Sequence, residues 1–343
     1  MAAETLKKAV LWEPAKDKKV QCHLCGWNCL ISPEKTGHCN VRKNIDGTLY
    51  TFAYHRVCAA NADPIEKKPL FHFQPGSRSF SIATLGCNFR CDFCQNWQIS
   101  QAAIEDLQIQ RQKIKPEEIL SLAISQGCKS IAYTYTEPTI FMELCADCGM
   151  PAKEHGLKNV FVSNGYQTKR AIDFASKFLD GINVDLKAIT EDYYMKHCKA
   201  KLQPVLDTIS YIAKETDIWL EVTTLLLPGE NDSEDQLKQI AEFLITHAGP
   251  DVPWHISRFY PQYKCLDTES TPISSLERAM KIGKQAGLRY VYPGNVPGSK
   301  NESTFCYDCG KMLIERVGYQ IKANNIVEGK CPDCDTKIAG FEL

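Results

Sequence analysis

The chain has 343 residues, 44% of them hydrophobic and 24% charged, with a net charge of −1. This is ordinary globular composition with ample length for a core, and it excludes a bulk electrostatic pull toward nucleic acid or an acidic membrane surface. No run of about 18 apolar residues marks a membrane span, and MAAETLKKAVLWEP lacks the apolar centre of a signal peptide, so a cytoplasmic location is expected. Seventeen cysteines in a reducing compartment point to metal rather than disulfides.

Residues 1–75 show no regular alternation of strands and helices and are expected to form a four-cysteine metal-binding segment. It carries Cys22-x2-Cys25-x3-Cys29-x9-Cys39. The set suits zinc or an auxiliary iron–sulfur cluster; zinc is favoured, with His23 and His38 as substitute ligands. From 76 to 299, short apolar runs alternate with amphipathic stretches. Strands are expected at 79–84, 130–135, 159–164, 181–186, 219–227, 254–259 and 289–292, and helices at 115–126, 139–155, 169–178, 204–215, 233–247 and 274–287. Pro116 suits a first helical turn, and the glycines at 127, 156 and 287 suit helix ends. Repeated strand–helix units imply a parallel sheet with right-handed crossovers. The expected fold class is α/β, a partial (β/α)6 TIM-like barrel with small N- and C-terminal Cys-rich metal-binding modules. Cys145 and Cys148 fall within a predicted helix and are expected to pack in the core. Residues 300–343 carry Cys306-x2-Cys309 and Cys331-x2-Cys334. That pattern suggests a four-thiolate zinc ribbon, with an iron–sulfur cluster as the alternative. So short a segment cannot bury enough core alone, so metal would supply folding energy.

In barrels of parallel strands the site lies at the C-terminal strand ends, and polar residues collect there. Cys87, Cys91 and Cys94 follow the first strand; Tyr135 and Glu137 follow the second; Ser163 and Asn164 end the third. Asp185 and Lys187 end the fourth, Thr223 and Thr224 lie on the fifth, and His255, Ser257, Arg258 and Tyr260 lie on or after the sixth. A cubane cluster usually takes four thiolates. Three in one loop leave an iron open to a ligand, as a catalytic zinc keeps a free position. A zinc site or a chance trio is the alternative; the x3 spacing, Phe93 and the preceding strand favour the cluster.

GCNFRCDFCQN resembles the C-x3-C-x-aromatic-C signature of the radical S-adenosylmethionine (SAM) superfamily. The resemblance implies a [4Fe-4S] cluster on Cys87, Cys91 and Cys94, beside Phe93. SAM would chelate its open iron and be cleaved reductively to methionine and a 5′-deoxyadenosyl radical. TYTEP resembles the superfamily's GGEP element, with Tyr135-Thr136 in place of two glycines, which implies a SAM-binding role for Tyr135 and Glu137. FVSNG, VDLK and LLLPGENDS resemble successive elements of glycyl-radical activating enzymes such as pyruvate formate-lyase activating enzyme, implying SAM contacts from Ser163, Asn164, Asp185 and Lys187. Val162 stands where that enzyme has an aspartate, so its bound cation does not carry over. SRFYPQYK resembles the last strand end, with Gln262 and Tyr263 in place of the family's histidine; His255 is expected to face the pocket instead. The N-terminal cysteines, DPIEKKPLFHF (63–73), YPGNVPG (292–298) and the C-terminal cysteines together resemble the AmmeMemoRadiSam system radical SAM enzymes. That implies Memo-like and AMMECR-like partners and a low-potential electron donor of flavodoxin or ferredoxin type.

The expected function is therefore a radical SAM oxidoreductase, with hydrogen abstraction from a glycine of a partner enzyme as one form. The alternatives are modification of a small molecule or RNA, or a non-catalytic iron–sulfur and zinc binding module. A lateral entrance is expected near Trp97 and Tyr260, narrowed by the terminal modules.

Overall fold

In the computed structural model, residues 6–54, 56–102, 112–296 and 300–343 are described. The apolar runs pair side by side in sequence order as seven parallel strands: Arg78–Thr84, Ser130–Tyr133, Lys158–Ser163, Gly181–Asp185, Trp219–Leu226, Trp254–Arg258 and Val291–Gly294. Register is continuous, from Ser130 opposite Ser79 to Ser257 opposite Gly294. Between them run Pro116–Ser125, Met142–Glu154, Lys169–Ala175, Gln203–Glu215, Glu234–Ala248 and Ile273–Gln285. Each helix begins where the local chemistry favours it. The Thr168 and Ser233 hydroxyls accept amides one turn on, and Pro116 opens its helix. The inner faces follow helical spacing, as in Leu237, Ile240, Ala241 and Leu244. Cys145 and Cys148 are fully buried in helix Met142–Glu154.

Three boundaries differ from expectation. The second strand stops at Tyr133 because Tyr135 takes a left-handed conformation, φ 63°. The last strand shifts to Val291–Gly294 and includes Pro293, tolerable because the strand lies at the sheet edge. Residues 56–64, expected in the N-terminal appendage, form an antiparallel strand of the central sheet, with Pro64 opposite Arg78. The sequence RVCAANADP has no apolar alternation to announce it. The YPGNVPG stretch runs into residues outside those described.

The N-terminal segment forms two three-stranded antiparallel sheets, and the C-terminal segment a third, of Thr304–Phe305, Met312–Val317 and Gln320–Asn324. The C-terminal module is fastened through buried polar contacts. Arg316 donates to the Phe71 carbonyl (2.6 Å) and the Thr304 hydroxyl (2.6 Å). His72 reaches the Ala339 carbonyl (2.7 Å) and the Tyr292 hydroxyl (2.6 Å). Glu221 receives the amides of Phe71 and His72, the Trp219 indole and His255. Burial raises its pKa, but the His255 hydrogen bond and charge reverse that and hold it below the ordinary carboxylate value.

Candidate active site

A cavity of about 530 Å³ opens at the C-terminal ends of the parallel strands. Its wall begins with Cys87, Cys91 and Cys94 from the loop after the first strand. Polar groups are aimed at the sulfurs: the Phe89 amide lies 3.3 Å from Cys87 Sγ and the Ser100 hydroxyl 3.2 Å from Cys94 Sγ. Burial raises the thiol pKa of Cys87 and Cys94, and a hydrogen bond with Cys198 followed by burial raises that of Cys91. Such thiols ionise readily only beside a bound cation. Phe93, the aromatic of the motif, is buried, lines the cavity and lies under Lys187 Nζ at 5.7 Å.

The second strand end contributes Thr134, Tyr135, Thr136 and Glu137. Tyr135 is a non-glycine residue in the left-handed region, the backbone state that glycine adopts without cost. Its carbonyl accepts the Asn96 amide nitrogen at 2.8 Å and its hydroxyl donates to Asp63. The strand end is thereby tied to both the cysteine loop and strand Arg56–Pro64. Glu137 lines the cavity, yet both its oxygens are engaged. One accepts the amide and hydroxyl of Thr139 and the Ser163 hydroxyl, the other the Asn164 amide. Burial raises its pKa against those hydrogen bonds. It caps the turn Pro138–Phe141 and clamps two strand ends.

Asn164 continues the chain of contacts, donating to Asn88 of the cysteine loop at 2.7 Å, with Cys87 Sγ at 3.8 Å. At the fourth strand end Lys187 and Asp185 form a 2.8 Å ion pair facing the cavity. Burial lowers the Lys187 pKa, but Asp185 and the nearby thiols outweigh it and raise it overall. Thr223 presents a buried hydroxyl without a protein partner at the cavity wall. His255 is a correction: it does not line the cavity. It shares its strand face with the cavity-lining Ser257 but lies two residues deeper, 2.6 Å from Glu221 and edge-on to Phe71.

Several wall residues escaped the sequence reading. Lys67, Lys68 and Pro69 come from the DPIEKKPLFHF stretch, and Asn295 follows the last strand. Tyr319 comes from the hairpin of the C-terminal module. Burial lowers the Lys68 pKa to about 8 against its 2.7 Å pair with Asp63. Trp97 and Tyr260 are not wall residues. Trp97 stacks on Tyr263, and Tyr260 donates to the Asn295 carbonyl, so it touches the cavity only through that residue.

The other two cysteine sets stand apart from this wall. Cys306, Cys309, Cys331 and Cys334 bring four sulfurs within 4.8 Å of one another; among the described residues this is the one set of three or more ligand groups so placed. Cys22, Cys25 and Cys39 are buried and Cys29 half-buried in the N-terminal sheets.

The radical SAM superfamily model matches residues 81–244, the span that supplies most of the wall. This chain belongs to the radical SAM superfamily. It is 44% identical over 335 residues to an uncharacterized protein of Methanocaldococcus jannaschii, covering 97% of this chain and 99% of the relative. A putative glycyl-radical enzyme activating enzyme of the same organism is 28% identical over 222 residues, 63% of this chain and 79% of the relative. A radical SAM methyltransferase structure from Sphaerobacter thermophilus shares the fold, with a TM-score of 0.51 and 14% identity over 64% of this chain and 67% of that one. Radical SAM membership implies a [4Fe-4S] cluster and SAM. The wall fits both: three buried thiols with polar groups aimed at sulfur, and beside them an ion pair and an unpartnered hydroxyl.

Proposed function

We propose that the chain is a radical SAM oxidoreductase in which Cys87, Cys91 and Cys94 hold the cluster and the polar wall holds SAM. The observation that carries this is the convergence of the cysteine loop, Glu137, Asn164 and the Asp185–Lys187 pair on one cavity. The bound cluster and SAM supply a one-electron cleavage and a primary carbon radical. The protein's part is positioning. Lys187 and Asp185 offer opposite charges to a zwitterion, and Thr223 offers an uncommitted hydroxyl. Glu137 keeps the strand ends in register without contacting the ligand itself. Water exclusion matters because such a radical attacks nearby C–H bonds with little intrinsic selectivity.

The sheet is best read as an incompletely closed (β/α)6 barrel. Seven strands about 4.8 Å apart would separate the outer two by roughly 29 Å if flat. A 530 Å³ cavity touching both Cys87 and Asn295 supports a strong curl. The terminal modules are then additions that divide from the barrel near residues 55 and 300. Zinc on the C-terminal quartet is part of the proposal. Its cross pairs, at 3.7 and 3.6 Å, suit the roughly 3.8 Å separation expected around a tetrahedral ion with Zn–S of about 2.3 Å.

The substrate side of the cavity is taken to be Lys67, Lys68, Asn295 and Tyr319. The whole cavity of about 530 Å³ would also hold the cluster and SAM, and the space left favours a small substrate or a single inserted residue over a long peptide. Hydrogen abstraction from a partner's glycine is the second reading, favoured by the 28% identical relative. An electron donor of flavodoxin or ferredoxin type and Memo-like and AMMECR-like partners belong to the same proposal on motif resemblance alone. Anaerobic turnover in deuterated cell extract separates the two. Deuterium in 5′-deoxyadenosine with a modified metabolite supports the small substrate; a glycyl radical signal on a second protein supports the other. The absence of both would remove the oxidoreductase assignment.

A further inference from the structure

We infer that Cys22, Cys25, Cys29 and Cys39 hold a second iron–sulfur cluster, seated against the loop of Cys87, Cys91 and Cys94. The chain contains its own standards for this comparison. In the C-terminal ribbon all four sulfurs fall within 4.8 Å of one another, as one tetrahedral ion requires. No three of the N-terminal sulfurs do so, and neither do those of Cys87, Cys91 and Cys94. A cubane distributes its thiolates over separate irons, so they stand farther apart than around one ion. The N-terminal set therefore groups with the radical SAM trio and not with the ribbon.

The four N-terminal cysteines are nonetheless one constellation. The Cys22 amide donates to the Cys29 carbonyl at 2.9 Å, which closes the hairpin whose turn holds Cys25. A side chain on Gly37, two residues before Cys39, would meet Cys29 Sγ at 3.7 Å. The turns also have the form of metal–thiolate turns. The Trp27 amide lies near the Cys25 thiol and the Val41 amide near that of Cys39, each two residues on, as the Phe89 amide lies at Cys87. Among the described residues, neither histidine joins three ligand groups close enough for one ion: His38 stacks on Trp27 at 3.9 Å, and His23 Nε2 lies 3.5 Å from a Glu13 carboxylate oxygen. Four thiolates are left as the ligands. A buried guanidinium supplies counter-charge, since Arg42 donates to Cys22 Sγ at 3.2 Å and pairs with buried Glu143.

The seat is direct. The Trp27 indole donates to the Asn88 carbonyl at 2.8 Å. Arg90 bridges the carbonyls of Cys87 (2.6 Å) and His38 (2.7 Å). A side chain on Gly86 would meet the Cys39 carbonyl at 3.2 Å.

The test is metal and sulfide content of the full chain after anaerobic reconstitution with ferrous iron and sulfide. The variant combining Cys87→Ala, Cys91→Ala and Cys94→Ala should retain about four iron and four sulfide with charge-transfer absorption. Adding Cys25→Ala and Cys39→Ala should remove them. A triple variant with zinc at both terminal sets and no iron would overturn the inference. If the triple variant does not yield folded protein, the wild type decides: about eight iron supports the second cluster, and about four or fewer overturns it. Because the triple variant lacks the three cysteines that hold the cluster of the SAM site, its result is independent of the proposed SAM chemistry.

Discussion

Glu137 accepts the Asn164 amide at 2.8 Å and so ties the ends of the second and third parallel strands together at the cavity wall. The same carboxylate takes the Ser163 hydroxyl at 2.8 Å. Asn164 in turn holds Asn88 of the cysteine loop. A single buried acid thus sets the spacing between the cluster loop and two strand ends.

Glu137→Gln keeps the shape but turns an amide donor toward the Asn164 amide or the Ser163 hydroxyl. Unpartnered buried donors cost about 1–3 kcal/mol. A fall in the thermal unfolding midpoint and weaker SAM binding are expected. A variant with wild-type melting behaviour would show that the clamp does not matter.

Lys187→Met removes the cation of the cavity's ion pair and leaves Asp185 uncompensated. SAM affinity of the reconstituted protein should fall tenfold or more, about 1.4 kcal/mol. Lys187→Arg should recover part of it. An unchanged dissociation constant for the Met variant would exclude the pair from SAM binding.

The His72 contact between barrel and C-terminal module makes stability depend on pH. Burial lowers the His72 pKa to about 4 from its ordinary 6.5. Above pH 6.5 neither state is protonated there and the contact is at full strength. Between 6.5 and 4 the unfolded chain takes up a proton that the folded one refuses, so stability falls as pH falls. The difference accumulates to on the order of 3 kcal/mol. Denaturant unfolding across this range should show a shallower loss for His72→Gln than for wild type. Parallel curves would refute the linkage.

Removing metal from the C-terminal quartet should loosen the module first. Its sheet has little core of its own and is held by Arg316, His72 and the stacked Phe73–Phe341 pair. A zinc chelator should lower the melting temperature and raise hydrogen exchange in residues 304–338 before the parallel sheet responds. Uniform exchange would indicate that the metal carries no local stability.

Much of this was legible in the chain. The apolar runs and helix signals located all seven parallel strands to within a few residues, because buried parallel strands and amphipathic helices leave strong local patterns. Strand Arg56–Pro64 left none, since its alanines and polar residues form neither pattern. At the site, the cysteine trio, Glu137, Ser163, Asn164, Asp185 and Lys187 converge on one cavity because strand ends are adjacent whatever their separation in sequence. His255 was misplaced in depth and not in face: it lies on the side of Ser257 but two residues below the strand end, where Glu221, two residues before Thr223, takes it up. Tyr319 carried no local signal; only the docking of a module nearly 200 residues after Tyr135 brings both to one cavity.

The central claim is that Cys87, Cys91 and Cys94 hold a cluster that cleaves SAM. It is tested most directly by anaerobic incubation of the reconstituted chain with SAM and a strong one-electron reductant, measuring 5′-deoxyadenosine and methionine. Wild type should form both in equal amounts, and Cys91→Ala neither. Equal 5′-deoxyadenosine from wild type and Cys91→Ala would contradict the account.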